Sequence, residues 1–290
     1  MKEAIGIIWR LLRVRQYTKN LFVFAAPLFA GVICQTEILI QSILLFCAFC
    51  CISSAVYIFN DIRDIDKDRQ HPQKSKRPIP NGDISIRHAA VVGAILLGVG
   101  FVIPNQLGIE YLLAAYVLLN IIYTMHAKHV VILDVMCISF GFVIRALAGI
   151  VIIPSQITSW FLLCVFMLSL FLALGKRRAE LELFKAERKR QRQVLQSYTL
   201  PFVDQLIMIV AAMTLTSYSL FAVNQGHGEN EIIAPMVFTV PLVVYGVFRY
   251  LYLIYVKGEG GQPEELLLRD RYILGIGIVF IAAIFFLRNL

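Results

Sequence analysis

Apolar residues fill this chain in long blocks, and short polar segments carrying most of the charge separate them. A helix needs about 20 apolar residues to cross a hydrocarbon core. The blocks predict nine such helices, centred near Ala26, Phe49, Leu96, Tyr116, Phe142, Met167, Ala212, Val244 and Phe280. The first and third are the shortest. The expected fold is therefore all-α: a polytopic membrane protein, a nine-helix bundle with polar loops over a central cavity. Residues 1–290 read as one domain, since no soluble domain, low-complexity stretch or short repeat interrupts the blocks. The basic, partly amphipathic start from Lys2 to Lys19 lacks a convincing small-residue cleavage site, so no cleaved signal peptide is expected.

Composition agrees, at 59% hydrophobic residues against roughly 45–50% in globular chains. The placement of positive charge adds an orientation. Segments 1–20, 60–87, 126–131, 175–198 and 257–271 hold 24 of the 27 Lys and Arg. The alternate segments 34–37, 104–108, 154–158 and 224–231 hold none. Such a split places the N-terminus and every basic loop in the cytoplasm. The net charge of +8 is then largely a topology signal, suited to a membrane and to phosphate-bearing substrates rather than nucleic acid. The six cysteines lie mostly within apolar blocks and read as packing residues, the Cys47–Cys50 pair included.

Against this background the segment Asn60-Asp61-Ile62-Arg63-Asp64-Ile65-Asp66-Lys67-Asp68 stands out. On a continuous helix Asp61, Asp64 and Asp68 share one face within roughly 60°. Like charges so arranged repel unless a cation lies between them, and a hard, oxygen-seeking ion such as Mg²⁺, held jointly with substrate phosphates, meets that need. Asp66 falls on the opposite face and reads as solvated charge. Downstream, Lys74, Lys76 and Arg77 fit two roles, topology charge or closure over phosphates.

Two further loops carry polar residues. In the second, Tyr123, His126, Lys128 and His129 precede Asp134, and Arg145 follows eleven residues later on the same helix face. An arginine in a span must face the bundle or a wet cavity, so Asp134 and Arg145 either pair or line a cavity for a charged headgroup. The third opens Gly175-Lys176-Arg177-Arg178-Ala179-Glu180, where Lys176 and Glu180 stand at pairing distance. Lys19 stands at the mouth of the first block. Carboxylates and cations around a membrane cavity suit departure of a metal-bound diphosphate from carbon. A transporter using Asp134 and Arg145 as a charge relay would leave the acidic triplet unexplained.

The pattern N-D-x-x-D-x-x-x-D at Asn60 to Asp68 resembles the UbiA superfamily of intramembrane prenyltransferases, and the likeness covers essentially the whole chain. The longer match also takes in His71, Pro72, Lys74, Arg77, Pro78, Tyr123, Lys128, His129, Asp134, Arg145, Lys176 and Arg177, with Gln16, Lys19 and Asn20. It is similar to the decaprenyl-phosphate phosphoribosyltransferase branch. That resemblance implies transfer of 5-phosphoribose from 5-phosphoribosyl 1-diphosphate to a polyprenyl phosphate, a pentosyl transfer with Mg²⁺ as cofactor. It implies an enzyme of cell-envelope biosynthesis in a bacterial plasma membrane, and leaves room for a homo-oligomer. Asp61, Asp64 and Asp68 would hold Mg²⁺ and diphosphate, supported by Asn60. Lys19, Lys74, Arg77, Lys128, Lys176 and Arg177 would meet substrate phosphates, and Tyr123, Asp134 and Arg145 would complete the substrate site. Aromatic prenyltransferases of the same superfamily, the alternative, usually carry a second aspartate-rich motif after the sixth span. This chain has Lys176-Arg177-Arg178 there, which matches an extra substrate phosphate.

Overall fold

The computed structural model describes residues 2–70, 74–154, 158–187, 193–225, 234–261, 266 and 268–289. His71 and Pro72, and the largely basic stretch 188–192, lie outside that set. Among the described residues every regular element is helical. Six segments are long and apolar enough to cross a membrane: Thr36–Arg63, Leu133–Val151, Ser159–Leu183, Leu200–Val223, Pro235–Tyr255 and Arg271–Arg288. Ile86–Val102 and Glu110–Met125 are shorter apolar helices.

The helices are α1 (Lys2–Leu11), α2 (Ala25–Phe29), α3 (Thr36–Arg63), α4 (Ile65–Arg69), α5 (Pro78–Asn81), α6 (Ile86–Val102) and α7 (Glu110–Met125). They continue as α8 (Leu133–Val151), α9 (Ser159–Glu187), α10 (Leu200–Val223), α11 (Val240–Tyr255) and α12 (Arg271–Asn289). The block around Ala26 forms no long α-helix. It folds as a 3₁₀ segment, Val14–Phe24, followed by the short α2. Side-chain bonds from elsewhere hold this tight form: Asn20 Nδ2 donates to Cys50 Sγ and Ser53 Oγ on α3, each at 3.3 Å. Gly149 on α8 admits the segment closely, since a Cβ there would lie 2.3 Å from the Val23 carbonyl oxygen.

Buried apolar side chains form two large clusters. One joins Leu45, Phe49 and Ile52 of α3 to Leu113 and Tyr116 of α7, Ala146 of α8 and Phe221 of α10. The other joins Phe171 and Leu174 of α9 to Val203 and Ile207 of α10 and Tyr250 and Leu253 of α11. Apolar side chains also cover the outside, for instance Val91, Ile95 and Val102 on α6 and Ile278, Val279 and Phe286 on α12. So large an exposed apolar surface fits lipid as solvent. A third, small cluster sets up the polar end. Leu11 of α1, Ile58 of α3, Ile79 of α5 and Ala89 of α6 pack together. Their contact draws the N-terminal segment and the loop after α4 over the end of α3.

Candidate active site

The acidic motif leaves the bundle at the end of α3, but not as one unbroken helix. Asp64 has φ −96° and ψ 12°, and α4 starts after it. The backbone bonds Asp64 N–H to Asn60 O (3.0 Å) and Asp68 N–H to Asp64 O (2.8 Å) persist, so the interruption is local. Aspartate is a poor helix former, and three carboxylates on one face repel. The kink gives Asp64 a different partner from the other two, a departure from the single shared face that the spacing predicts. Asp66 is solvent-exposed, as expected.

Asp61 and Asp68 are both buried, and one guanidinium nitrogen lies between them. Arg77 Nη1 is 3.0 Å from Asp61 Oδ1 and 2.6 Å from Asp68 Oδ2. Pro78 at the start of α5 and buried Ile79 fix Arg77 in place. Lys74 Nζ reaches Asp68 Oδ1 at 3.7 Å. Arg13 Nη2 donates to Asp61 Oδ1 while its guanidinium lies over the Tyr57 ring, 4.7 Å from the centroid. Arg13 adopts left-handed backbone angles (φ 52°, ψ 48°) where α1 passes into the 3₁₀ segment. Burial, and then the charge of neighbouring Arg13, pull the Arg77 guanidinium below its ordinary pKa. Asp64 faces the other way, accepting from Lys128 Nζ at 2.6 and 2.8 Å.

The donor chemistry suits a hard divalent cation. Arg77 Nη1 marks a point between two carboxylates, and the neighbouring Asn60 Oδ1 is buried with no hydrogen-bond partner. Among the described residues no three carboxylate, imidazole or thiol groups gather closely enough to enclose a metal by themselves. Asp61, Asp64 and Asp68 thus do not gather as the three-carboxylate cluster that their spacing predicts; Mg²⁺ itself asks for one or two protein carboxylates, with phosphate oxygens and water completing its octahedron.

Across the bundle, Asp134 and Arg145 do not pair with each other. Asp134 is fully buried and holds Arg177: Nε donates to Oδ2 at 2.7 Å, and Tyr198 Oη donates to Oδ1 at 2.8 Å. Arg177 also donates to Glu180, three residues on. Tyr123 lies within electrostatic reach of Arg177. Tyr198 Oη in turn accepts from the Ile132 N–H at 2.7 Å. Ile132 has φ 70° and ψ −45°, a strained conformation for a β-branched residue. Burial, reinforced by the Asp134 carboxylate, raises the Tyr198 phenol, so it remains a donor. Arg145 is buried among neutral partners: Asn20 Oδ1 at 2.8 Å, the Gly141 carbonyl at 2.7 Å and Tyr116 Oη at 2.7 Å. Its guanidinium also lies over the Tyr116 ring at 4.6 Å. It is an interior positive charge balanced by dipoles and π faces.

Lys19 and Lys176 are half-buried, on the 3₁₀ segment and on α9. Thus the structure groups Asp61, Asp68, Lys74 and Arg77, joins Asp64 to Lys128, and joins Asp134 to Arg177. Pattern reading does not single out Arg13, Tyr198, Tyr116 or the polar role of Asn20. Each is a lone residue whose partner lies on another element, and only the left-handed turn at Arg13 and the strain at Ile132 flag their surroundings.

Comparison with known proteins bears on the whole chain. Residues 21–260 match the model of the UbiA prenyltransferase family. A decaprenyl-phosphate phosphoribosyltransferase from Corynebacterium glutamicum is 31% identical over 97% of this chain and 86% of its own length. The protein of that name from Mycolicibacterium smegmatis is 31% identical over 98% of this chain and 92% of its own. Among solved structures, a UbiA homolog from Archaeoglobus fulgidus bound to GPP and Mg²⁺ superposes with a TM-score of 0.74. Its identity is 18%, over 98% of this chain and all of that one, so the likeness is one of fold.

Proposed function

This chain belongs to the UbiA prenyltransferase family, and we propose that it transfers 5-phosphoribose from 5-phosphoribosyl 1-diphosphate to a polyprenyl phosphate such as decaprenyl phosphate, releasing diphosphate. It is an integral membrane protein and a transferase by family. The finer assignments are ours: one domain, nine spans counting the 3₁₀ segment and the two shorter helices, cytoplasmic loops, a bacterial plasma membrane. The observation that carries the reading is the charge of the site. Four cations, Arg13, Lys74, Arg77 and Lys128, converge on the three carboxylates of the acidic motif, and buried Arg177, itself held by Asp134 and Glu180, stands where aromatic prenyltransferases usually carry a second acidic motif. A donor with three phosphates and an acceptor with one need that cationic excess, which a single prenyl diphosphate and a neutral aromatic do not.

In the reaction, a lipid phosphate oxygen attacks the anomeric carbon of ribose as the bond to diphosphate breaks. A phosphate monoester is largely ionised near pH 7, with a second pKa near 6, so no strong general base is required. Asp61 and Asp68, with Asn60 and Asp64 beside them, would hold Mg²⁺, which would supply charge neutralisation for the departing diphosphate. Arg13, Lys74, Arg77 and Lys128 exchange carboxylate for phosphate partners and orient the donor. Arg177 and Lys176, with Tyr123 alongside, face the acceptor phosphate, and Asp134 acts by aiming Arg177. Lys19 and Arg145 add positive field at the cavity wall. These roles place the protein's contribution in positioning and electrostatics. A shallow groove of about 610 Å³ on α10 and α11, lined by Met208, Ile209 and Tyr255 with Asp204 and Gln205 at its polar end, offers a bed for a lipid chain.

Membranes carrying the chain, given labelled 5-phosphoribosyl 1-diphosphate and polyprenyl phosphate, should incorporate label into lipid with Mg²⁺ and lose that activity with chelator. Asp61→Ala or Asp68→Ala should abolish incorporation while leaving a monodisperse protein. Prenylation of an aromatic acid in place of labelled lipid would overturn the assignment.

A further inference from the structure

The kink at Asp64 borders a polar cleft in which Asp64 and Lys128 meet two further cations, Arg63 and Lys67, that the roles above leave unused. It measures about 220 Å³ and lies between the end of α3 and the turn joining α7 to α8, where Arg63, Asp64 and Lys67 face Thr124, Met125, Lys128 and His129. Asp64 is the only carboxylate in its wall, and both Asp64 oxygens are taken by Lys128. Arg63 and Lys67 therefore stand as two positive charges in excess. Thr124 in the wall is buried, only 2% exposed. Positive charge serving topology alone would be scattered over a convex surface. Here it walls a concavity at the motif segment itself, where Asp64 lies three residues beyond Asp61, or about 4.5 Å along the axis. The volume is several times the roughly 30 Å³ share of a water molecule, room for a phosphate group with its near atoms.

We propose that this cleft is a second phosphate site, taking a phosphate monoester through Arg63, Lys67 and the Lys128 that spans to Asp64. The inference rests on the transfer reaction above and refines it by separating the two ends of the chemistry. Diphosphate lies on the Asp61–Asp68 side of the kink and a monoester lies on the Asp64 side. Both substrates carry such a group, the 5-phosphate of the donor and the phosphate of the lipid. Ribose holds its 5-phosphate and its 1-diphosphate on opposite sides of the ring, so one donor molecule could bridge both sites.

The test uses the full chain in detergent micelles, comparing wild type with the Arg63→Gln/Lys67→Gln double variant. Titration calorimetry with ribose 5-phosphate and with farnesyl phosphate, both in the presence of EDTA, reads binding without turnover. Steady-state transfer reads KM for each substrate. A loss of about tenfold in ribose 5-phosphate affinity, with a matching rise in donor KM, assigns the cleft to the donor. The same change confined to farnesyl phosphate and acceptor KM assigns it to the lipid. Unchanged affinities and KM values for both overturn the proposal, even where transfer itself is observed. If wild type binds ribose 5-phosphate through Arg63 and Lys67 but transfers nothing, the cleft stands and the assigned reaction falls.

Discussion

Replacing Asp134 by alanine removes both acceptors from a network that lies away from water. Asp134 is 0% exposed and the Arg177 side chain 2%, and their contact is 2.7 Å. Removing one partner of a buried pair costs about 3–5 kcal/mol, because the other charge is left without compensation. Arg177 keeps Glu180, which is 24% exposed and so only partly screened by solvent. The Tyr198 hydroxyl also loses its acceptor, adding about 1 kcal/mol. Asp134→Ala should therefore destabilise the bundle by about 4 kcal/mol. Removing both charges, as in Asp134→Leu/Arg177→Met, strands no buried charge and, although Tyr198 still lacks its acceptor, should cost less than Asp134→Leu or Arg177→Met alone. The measurement is a double-mutant cycle by reversible unfolding in mixed detergent micelles, followed by circular dichroism. A coupling energy of at least about 2 kcal/mol is expected. If the double variant loses the sum of the two singles, the network is no energetic unit and the placement of Arg177 by Asp134 is wrong.

Arg13→Gln should raise donor KM about ten- to hundredfold through loss of a charge-assisted contact worth roughly 1.5–3 kcal/mol, whereas an unchanged KM would make Arg13 a structural clamp for α1. Gly149→Ala would force a Cβ to within 2.3 Å of the Val23 carbonyl and should cost about 1–3 kcal/mol, seen as a lower melting temperature; wild-type melting would refute the close approach. Asp270 accepts from Arg249 and from the Tyr272 and Ile273 N–H groups, and the Arg249 bond chiefly holds its carboxyl below the ordinary value. Its folded pKa being the lower one, its stabilisation is present above the unfolded value near 4 and fades as pH falls through the folded value. Asp270→Asn should thus melt lower at pH 7 and show a flatter acid limb; parallel pH profiles would contradict the pairing.

The apolar blocks foretell the long helices because a membrane span is a local property of about 20 residues. The block around Ala26 is the instructive departure. Its 3₁₀ form depends on Ser53, Cys50 and Gly149, more than 25 residues away, and no window along the chain contains them. Helical spacing likewise brings Asp61 and Asp68 to one place but cannot foresee that Lys128 claims Asp64. Asp134 and Arg145 do share one buried helix side, yet periodicity gives a direction and not a neighbour. The neighbours are Arg177 with Tyr198 and Asn20 with Tyr116. Charge type and depth were legible, while partner choice belongs to tertiary packing.

Partner choice also yields a prediction about metal and ligand together. Each carboxylate of the motif is neutralised by a cation from another element: Asp61 by Arg13 and Arg77, Asp68 by Arg77 and Lys74, Asp64 by Lys128. A divalent cation alone would have to displace guanidinium groups and leave them crowded, as Arg13 already crowds Arg77. Diphosphate alone would draw those groups away and leave the carboxylates facing one another. Arriving together, the two permit an exchange of partners in which no charge is stranded. Mg²⁺ and diphosphate should therefore bind with positive, reciprocal coupling of 1–3 kcal/mol, or about 5–150-fold in affinity. Calorimetric titration of diphosphate with EDTA, with Mg²⁺, and of Mg²⁺ with and without diphosphate measures that coupling, after correction for the complex formed in solution. The Arg77→Met variant should reduce it, since the bridging guanidinium is the group that must move. Diphosphate binding that is equally tight in EDTA would mean that the cations alone form the site and that the aspartates only hold them in place.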